Sequence, residues 1–351
     1  MRLRILAAAA LSLLAIVGAG CAAKADSRST PSDKPDKIVV YTSRKEEFVA
    51  PLLAKFTKDT GIKADALYAD DAVINRLKEE VGSPRADILI GNDAGALEYL
   101  RLKKVLAPAD QAIVGIESID SAFRAADGSW FGLSARTRVL MYNKDLITDA
   151  QMPKTMEELT DPKWKGKFAI ARGGNGSVIA HVSALRAEWG DAKTEEWIRK
   201  VKDNAGAITD GHGDIRKAVG AGEFSFGLVN NYYYHQQLLE SADNNVGVIY
   251  PDQGDGEMGA VVNAAGVGLV AGGPNRTAAR EFAQWVLLPE NQRAFSNASL
   301  EVPINPAIEA PDGTAAIDSY KVNDLPLSKL GEVWEDTRSL IERAGLDLEL
   351  K

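Results

Sequence analysis

The sequence predicts an α/β fold with a parallel sheet, at a length that suits about two domains. Three observations predict it. Short β-rich runs alternate with segments whose apolar residues recur at helical spacing. Two of those runs, "ADILIGN" and "FSFGLV", are apolar enough to read as buried strands. The chain has 351 residues, 45% of them hydrophobic and 26% charged, which is globular composition.

The elements follow in order. "KIVVYTS" (37–43) reads as a strand. "KEEFVAPLLAKFTKDTG" (45–61) reads as a helix, with Phe48, Leu52, Leu53 and Phe56 on one face and Gly61 as its stop. "IKADALYA" is the next strand and "DDAVINRLKEE" the next helix; "ADILIGN" and "AGALEYLRLKKVL" repeat the pair. "GSWFGLSARTRVLMYNKDL" (128–146) is one long strand-like run. Residues 152–171 hold a helical turn, a Pro–Lys–Trp–Lys–Gly turn and a strand. Helices are expected at "SVIAHVSALRAEWG" and "TEEWIRKVKDNAG"; then come a helix, a turn at Gly222 and a strand over 224–229. "MGAVVNAAGVGLVAGG" is a further strand, 276–296 an amphipathic helix broken at Pro289, and 330–345 a last helix.

The start is an export signal. Two arginines precede an apolar run and small residues that end in Cys21, the only cysteine. Placed after "GAG", Cys21 resembles the acylated cysteine of a bacterial lipobox, although Gly18 stands where that motif usually has leucine. The rival is cleavage after "AKA" (23–25), which would release a soluble chain. Residues 1–21 are thus assigned to signal and lipobox, and polar 22–36 to a flexible tether. The run before Cys21 is short for a membrane span, and no other stretch approaches spanning length. The mature chain is expected outside the cytoplasmic membrane. A net charge of −8 and a pI of about 5.2 speak against non-specific nucleic-acid binding, and no nucleic-acid partner is expected.

Ligand sites in open α/β sheets lie beyond the carboxyl ends of strands. Four loops hold that position: 41–45, 92–95, 173–177 and 230–233. The last is the most informative. "NNYYYHQQ" places three of the nine tyrosines side by side between a buried strand and a helix. Asn230 or Asn231 can cap that helix, and the turn can aim Tyr232 and Tyr233 the same way. A phenol with a pKa of about 10 becomes an anionic ligand at neutral pH only if a strong cation displaces its proton. Phenolate is a hard donor, and ferric iron is the biological metal that fits it best. The alternative is an aromatic platform that packs on the sheet or stacks on an organic ligand.

"ARGGNGS" (171–177) could form an anion nest from its amides around Gly174, Asn175 and Ser177, or be only a tight turn. It lacks the lysine and spacing of a phosphate-binding P-loop. "SARTRV" puts Arg136 and Arg138 on one strand face. Paired guanidiniums suit a carboxylate, carbonate or phosphate, and otherwise structural ion pairs or a solvated sheet edge. Of the three histidines, His181 sits mid-helix and His212 lies on a loop that might reach a cleft. Neither H-E-x-x-H nor G-x-S-x-G is present, so a secreted hydrolase is the weakest reading and no catalytic residue is assigned.

Together "VNNYYYH", "ADILIGNDAG", "WFGLSARTRVLMYNKD", "DPKWKGK" and "VPINP" resemble the ferric-ion-binding proteins of bacterial ABC importers, a branch of the periplasmic binding proteins. The resemblance spans nearly the whole mature chain. It implies the two-lobed, type II periplasmic-binding-protein fold, with lobe one from 37–138 plus 263–313, lobe two from 139–262 plus 314–351, and the ligand cleft between them. It implies Tyr232 and Tyr233 as the metal ligands, Arg136 or Arg138 as holder of a synergistic anion, and Asn230, Gly174, Asn175 and Ser177 as the anion's surroundings. Where some members carry a histidine after the first strand, Arg44 and Lys45 stand here; where some carry a glutamate, Asn92 and Asp93 stand. The remaining ligands would be anion oxygens, water, or a group such as His212, Asp93 or Glu46. The implied cargo is Fe(III), bare with a carbonate-, phosphate- or citrate-like anion or as a ferric chelate. The implied partner is an ABC permease in the inner or cytoplasmic membrane, and the receptor is expected to be a monomer. A same-fold receptor for an organic or phosphorus-containing anion, clamped by Arg136 and stacked on the tyrosines, is the alternative.

Overall fold

A computed structural model describes residues 36–69, 72–240 and 245–348. The signal segment, Cys21 and all of the tether except Asp36 lie outside the described residues.

The chain begins with the expected alternation: β1 (Lys37–Thr42), α1 (Glu46–Thr60), β2 (Lys63–Tyr68), α2 (Ala72–Glu79), β3 (Ile88–Gly91) and α3 (Ala94–Leu102). In α1 the buried face is Val49, Leu52, Leu53 and Phe56. The helix stops where Gly61 takes a φ of 79° and its amide donates back to the Thr57 carbonyl. β4 (Trp130–Asn143) is buried along its whole length. Next come β5 (Phe168–Ala171), α4 (Gly176–Trp189), α5 (Asp191–Asn204), β6 (Ala207–Thr209), α6 (His212–Gly220), β7 (Phe226–Asn230) and α7 (Asn231–Glu240). The chain closes with β8 (Val246–Ile249), β9 (Val262–Leu269), α8 (Arg276–Val286), α9 (Pro289–Asn297), β10 (Val302–Pro303) and α10 (Leu330–Arg343). Pro289 starts α9, a position where its missing amide costs nothing.

The expectation of a parallel sheet is corrected to a mixed one. The strand order is β2-β1-β3-β9-β4-β7-β5-β6, with β8 and β10 also pairing with β4. β1 pairs in parallel with β2 and β3, and β5 with β6 and β7. β4 and β9 run antiparallel to their neighbours. The reason is connectivity: β4 and β9 join two parallel halves instead of belonging to βαβ units. β6, β8 and β10 were not foreseen; they are short, four residues at most.

β4 changes partners midway. Trp130 to Thr137 pair with β9, and from Arg138 onward the strand pairs with β7. The core does not divide there: a large cluster surrounds β1, β3 and β9 and continues past the exchange through Leu140, Tyr142, Phe168, Phe226 and Leu228. A smaller one (Val139, Met141, Ala169, Ala171, Ile215, Val219, Val229, Val246) lies beneath β7, with Tyr233 and Tyr234 packed on it.

Candidate functional site

The partner change on β4 is what builds the site. Arg136 is in register with Asn263 of β9, and Arg138 with Asn230 of β7. Side chains two apart on a strand share a face, so both guanidiniums border one small cavity of about 20 Å³, lined also by Asn230, Asn263, Ser177 and His181. Both arginines are buried, which excludes the solvated sheet edge.

α7 starts directly at the end of β7 and brings the tyrosines to the same place. The Tyr232 and Tyr233 rings lie 4.5 Å apart, tilted by 34°. Asn230 Nδ2 donates to Ser177 Oγ at 3.1 Å and reaches the Tyr232 hydroxyl at 3.4 Å. Of the two expected caps, Asn230 and Asn231, the second needs correction. Asn231 does not stand free at the helix start: it is fully buried, and its Oδ1 accepts the Thr137 amide at 3.1 Å. That amide sits where β4 exchanges neighbours, and a buried donor there requires a partner.

His212 also needs correction. It opens α6 instead of lying on a loop, and it is buried. Its ring meets Tyr233 edge-on at 5.4 Å, and its Nε2 lies 3.0 Å from Arg138 Nη1. Arg138 Nη2 donates to the Ser177 carbonyl. Arg138 is therefore committed at both ends of its fork. Nε is without a hydrogen-bond partner in both arginines; Arg136 makes no bond like those of the Arg138 fork, and its Nε lies 3.8 Å from Glu301.

The electrostatics are those of a desolvated cationic pocket. Burial pulls Arg138 down to about 9, with Arg136 adding to the shift and the two phenols opposing it. Arg138 is still a cation at neutral pH. Burial, then Arg138, holds His181 and His212 well below the usual imidazole value. Burial, then the neighbouring Tyr232 phenol, pushes Tyr233 well above the usual phenol value. A neutral Tyr233 phenol beside two buried guanidiniums leaves positive charge uncompensated, which favours occupation by an anion or by ionised phenols.

The other expected residues are placed elsewhere. Asn175 caps α4 through the Ser177 amide at 3.0 Å. The Gly173 amide, part of the expected nest, donates instead to the Asp347 carbonyl at 2.8 Å. A Cβ on Gly174 would lie 2.0 Å from the Leu348 carbonyl oxygen. Close packing of the C-terminal segment thus accounts for these glycines. Asn92 Nδ2 donates to the Ser43 carbonyl at 2.7 Å. Asp93 caps α3, and its oxygens already accept from Gly95, Asn263 and Trp334, so it is not poised as a metal ligand. Lys45 is exposed and lies 3.7 Å from Glu47. Among the described residues, no group of three or more His, Cys, Asp or Glu is arranged to hold a metal. Asn263 and Glu301 escaped the sequence reading. The signal for Asn263 was a lone amide within "VVNAAGVGLV".

The match to known proteins covers this whole architecture. Residues 52–321 match the family described as bacterial extracellular solute-binding protein. The chain belongs to that family. Iron uptake protein A1 of Synechocystis is 31% identical over 325 residues, spanning 90% of this chain and 89% of its own. The Fe(3+)-binding periplasmic protein of Serratia marcescens is 29% identical, over 88% of this chain and 90% of its own. The structure of Trichodesmium IdiA (FutA) in complex with iron and citrate ligands matches with a TM-score of 0.78 at 29% identity, over 89% of this chain and 100% of that one. Iron-bound HitA from Pseudomonas aeruginosa matches with a TM-score of 0.80 at 26% identity, over 89% and 100%. The fold of this extracellular solute-binding protein is the two-lobed type II fold with its ligand cleft between the lobes. No described helix is long and apolar enough to cross a membrane.

Proposed function

We propose that this solute-binding protein is an extracytoplasmic ferric receptor. Tyr232 and Tyr233 grip Fe(III) as phenolates, a synergistic anion on Arg136 completes the site, and the cargo passes to an ABC permease. The carrying observation is the tyrosine pair, rings 4.5 Å apart, set against two buried arginines. Two phenolates cancel two of the three charges on the ion, and a bound anion cancels more and meets the unpartnered Arg136 Nε. The names of the relatives point the same way. In this reading the chain is a monomeric receptor and not an enzyme. It is exported, held at the outer face of the membrane by a lipid on Cys21, with lobes divided at 138/139, 262/263 and 313/314.

The test is a ferric titration of the purified protein, with and without bicarbonate, phosphate or citrate. Phenolate-to-iron charge transfer should turn the protein red to orange, more tightly in the presence of anion. A protein that stays colourless under iron excess contradicts the proposal.

The second reading, an anion receptor with Arg136 as clamp, draws on the same Arg136 Nε, which lacks a hydrogen bond. It predicts a colourless protein that an organic or phosphorus-containing anion alone stabilises against heat.

A further inference from the structure

A buried carboxylate stands beside Arg136, just outside the cavity lining. Glu301 is 3% exposed. It accepts from Arg44 Nη1 at 3.0 Å and from the Ser134 hydroxyl, and its other oxygen lies 3.8 Å from Arg136 Nε. That last distance is within ion-pair range but too long for a hydrogen bond. Arg44 is itself immobilised: its Nη2 donates to Ser299 Oγ at 2.9 Å, and its guanidinium lies 4.7 Å from the Phe295 ring centre. Arg44 and Ser134 thus hold Glu301 just short of Arg136.

This arrangement has two effects on the cavity. Glu301 offsets one of three buried guanidinium charges, so an incoming anion meets less positive potential than the arginines alone would create. Because the carboxylate is held back, Arg136 keeps its hydrogen-bonding capacity for that anion. Resting on the ferric–anion reading above, we propose that Glu301 is a specificity-determining counter-ion: it tunes the site toward anions of low charge, and Arg44 and Ser134 are the positioning residues that keep it from closing on Arg136.

The two halves of the proposal predict shifts of opposite sign. Glu301→Gln keeps the shape and the acceptor for Arg44 while deleting the charge. It should shift preference from bicarbonate toward citrate or phosphate, by about tenfold or more per added anion charge, the scale for unit charges several ångströms apart in a protein. Arg44→Met keeps packing against Phe295 but releases the carboxylate to bond Arg136, so it should weaken every anion. Ser134→Ala is a smaller change in the same direction and serves if Arg44→Met does not fold.

The measurement is the apparent affinity of the coloured ferric complex in bicarbonate, phosphate and citrate, for wild type and each variant, with thermal melts as the check on folding. Opposite shifts support the assignment. A wild type that is coloured and anion-dependent, combined with an unchanged anion ranking in Glu301→Gln, overturns it and leaves the ferric reading standing. A wild type whose colour ignores every anion overturns both.

Discussion

Nη1 of Arg138 lies 3.0 Å from Nε2 of His212, with both side chains buried. A guanidinium only donates, so Nε2 is the acceptor and the imidazole proton sits on Nδ1. The lone pair that would ligate a metal from Nε2 is already used. His212 instead sets the Tyr233 ring from its edge, at 5.4 Å.

His212→Ala should therefore keep the ferric colour. As an indirect effect on a ligand, it should weaken iron affinity by about 10- to 100-fold and shift the charge-transfer band. Loss of the band would make His212 a ligand and contradict this account.

Iron uptake should release protons. Burial and the Tyr232 phenol raise Tyr233, so the apo site holds its phenolic proton at neutral pH. Ferric affinity should climb with pH, by up to about two protons' worth per pH unit, and fall on acidification; affinities measured between pH 6 and 8 check this. The sign for folding without metal is the reverse. Burial raises Tyr250, and raises Tyr320 to about 12, so the contribution of these phenols is complete below about pH 10, the unfolded value, and is lost as pH rises through the folded ones. Urea melts of the apoprotein should weaken in that alkaline range.

Asn263 ties β9 to α3. Its Oδ1 accepts the Ala94 amide at 3.0 Å, and its Nδ2 donates to Asp93 at 3.0 Å. Asn263→Ala leaves that buried amide unpaired and should cost about 1–3 kcal/mol in urea unfolding. Because the residue also borders the cavity beside Arg136, anion dependence should loosen with it.

The Tyr320 hydroxyl bonds Thr137 Oγ1 at 2.6 Å, at the point where β4 changes partners, and its ring packs 4.2 Å from Tyr250. Tyr320→Phe keeps the ring contact and removes the bond. It should cost about 1 kcal/mol in denaturant unfolding, with the ferric colour intact.

Much of this was readable in the chain. The alternation over residues 37–102 and a buried strand over 224–229, found at 226–230, follow from local periodicity, and the strand-to-helix turn identified Tyr232 and Tyr233 as neighbours. What stayed hidden depends on pairing across long separations. The antiparallel roles of β4 and β9 cannot be read from a run's composition, because a strand buried on both faces looks the same in either direction. The Gly-rich loop could be either an anion nest or a tight turn from sequence alone, because the segment covering it, Asp347–Leu348, lies far away in sequence. Asp93 looked like a ligand until Asn263 and Trp334 arrived from elsewhere to occupy it.

The most direct measurement is ferric titration by visible absorbance of wild type, Tyr232→Phe and Tyr233→Phe, with folding confirmed by thermal melts. The account predicts a red-to-orange complex in wild type and loss of that band, with at least about a hundredfold loss of affinity (roughly 2.7 kcal/mol), in each folded variant. A Tyr233→Phe protein that binds iron with wild-type colour and affinity would contradict it.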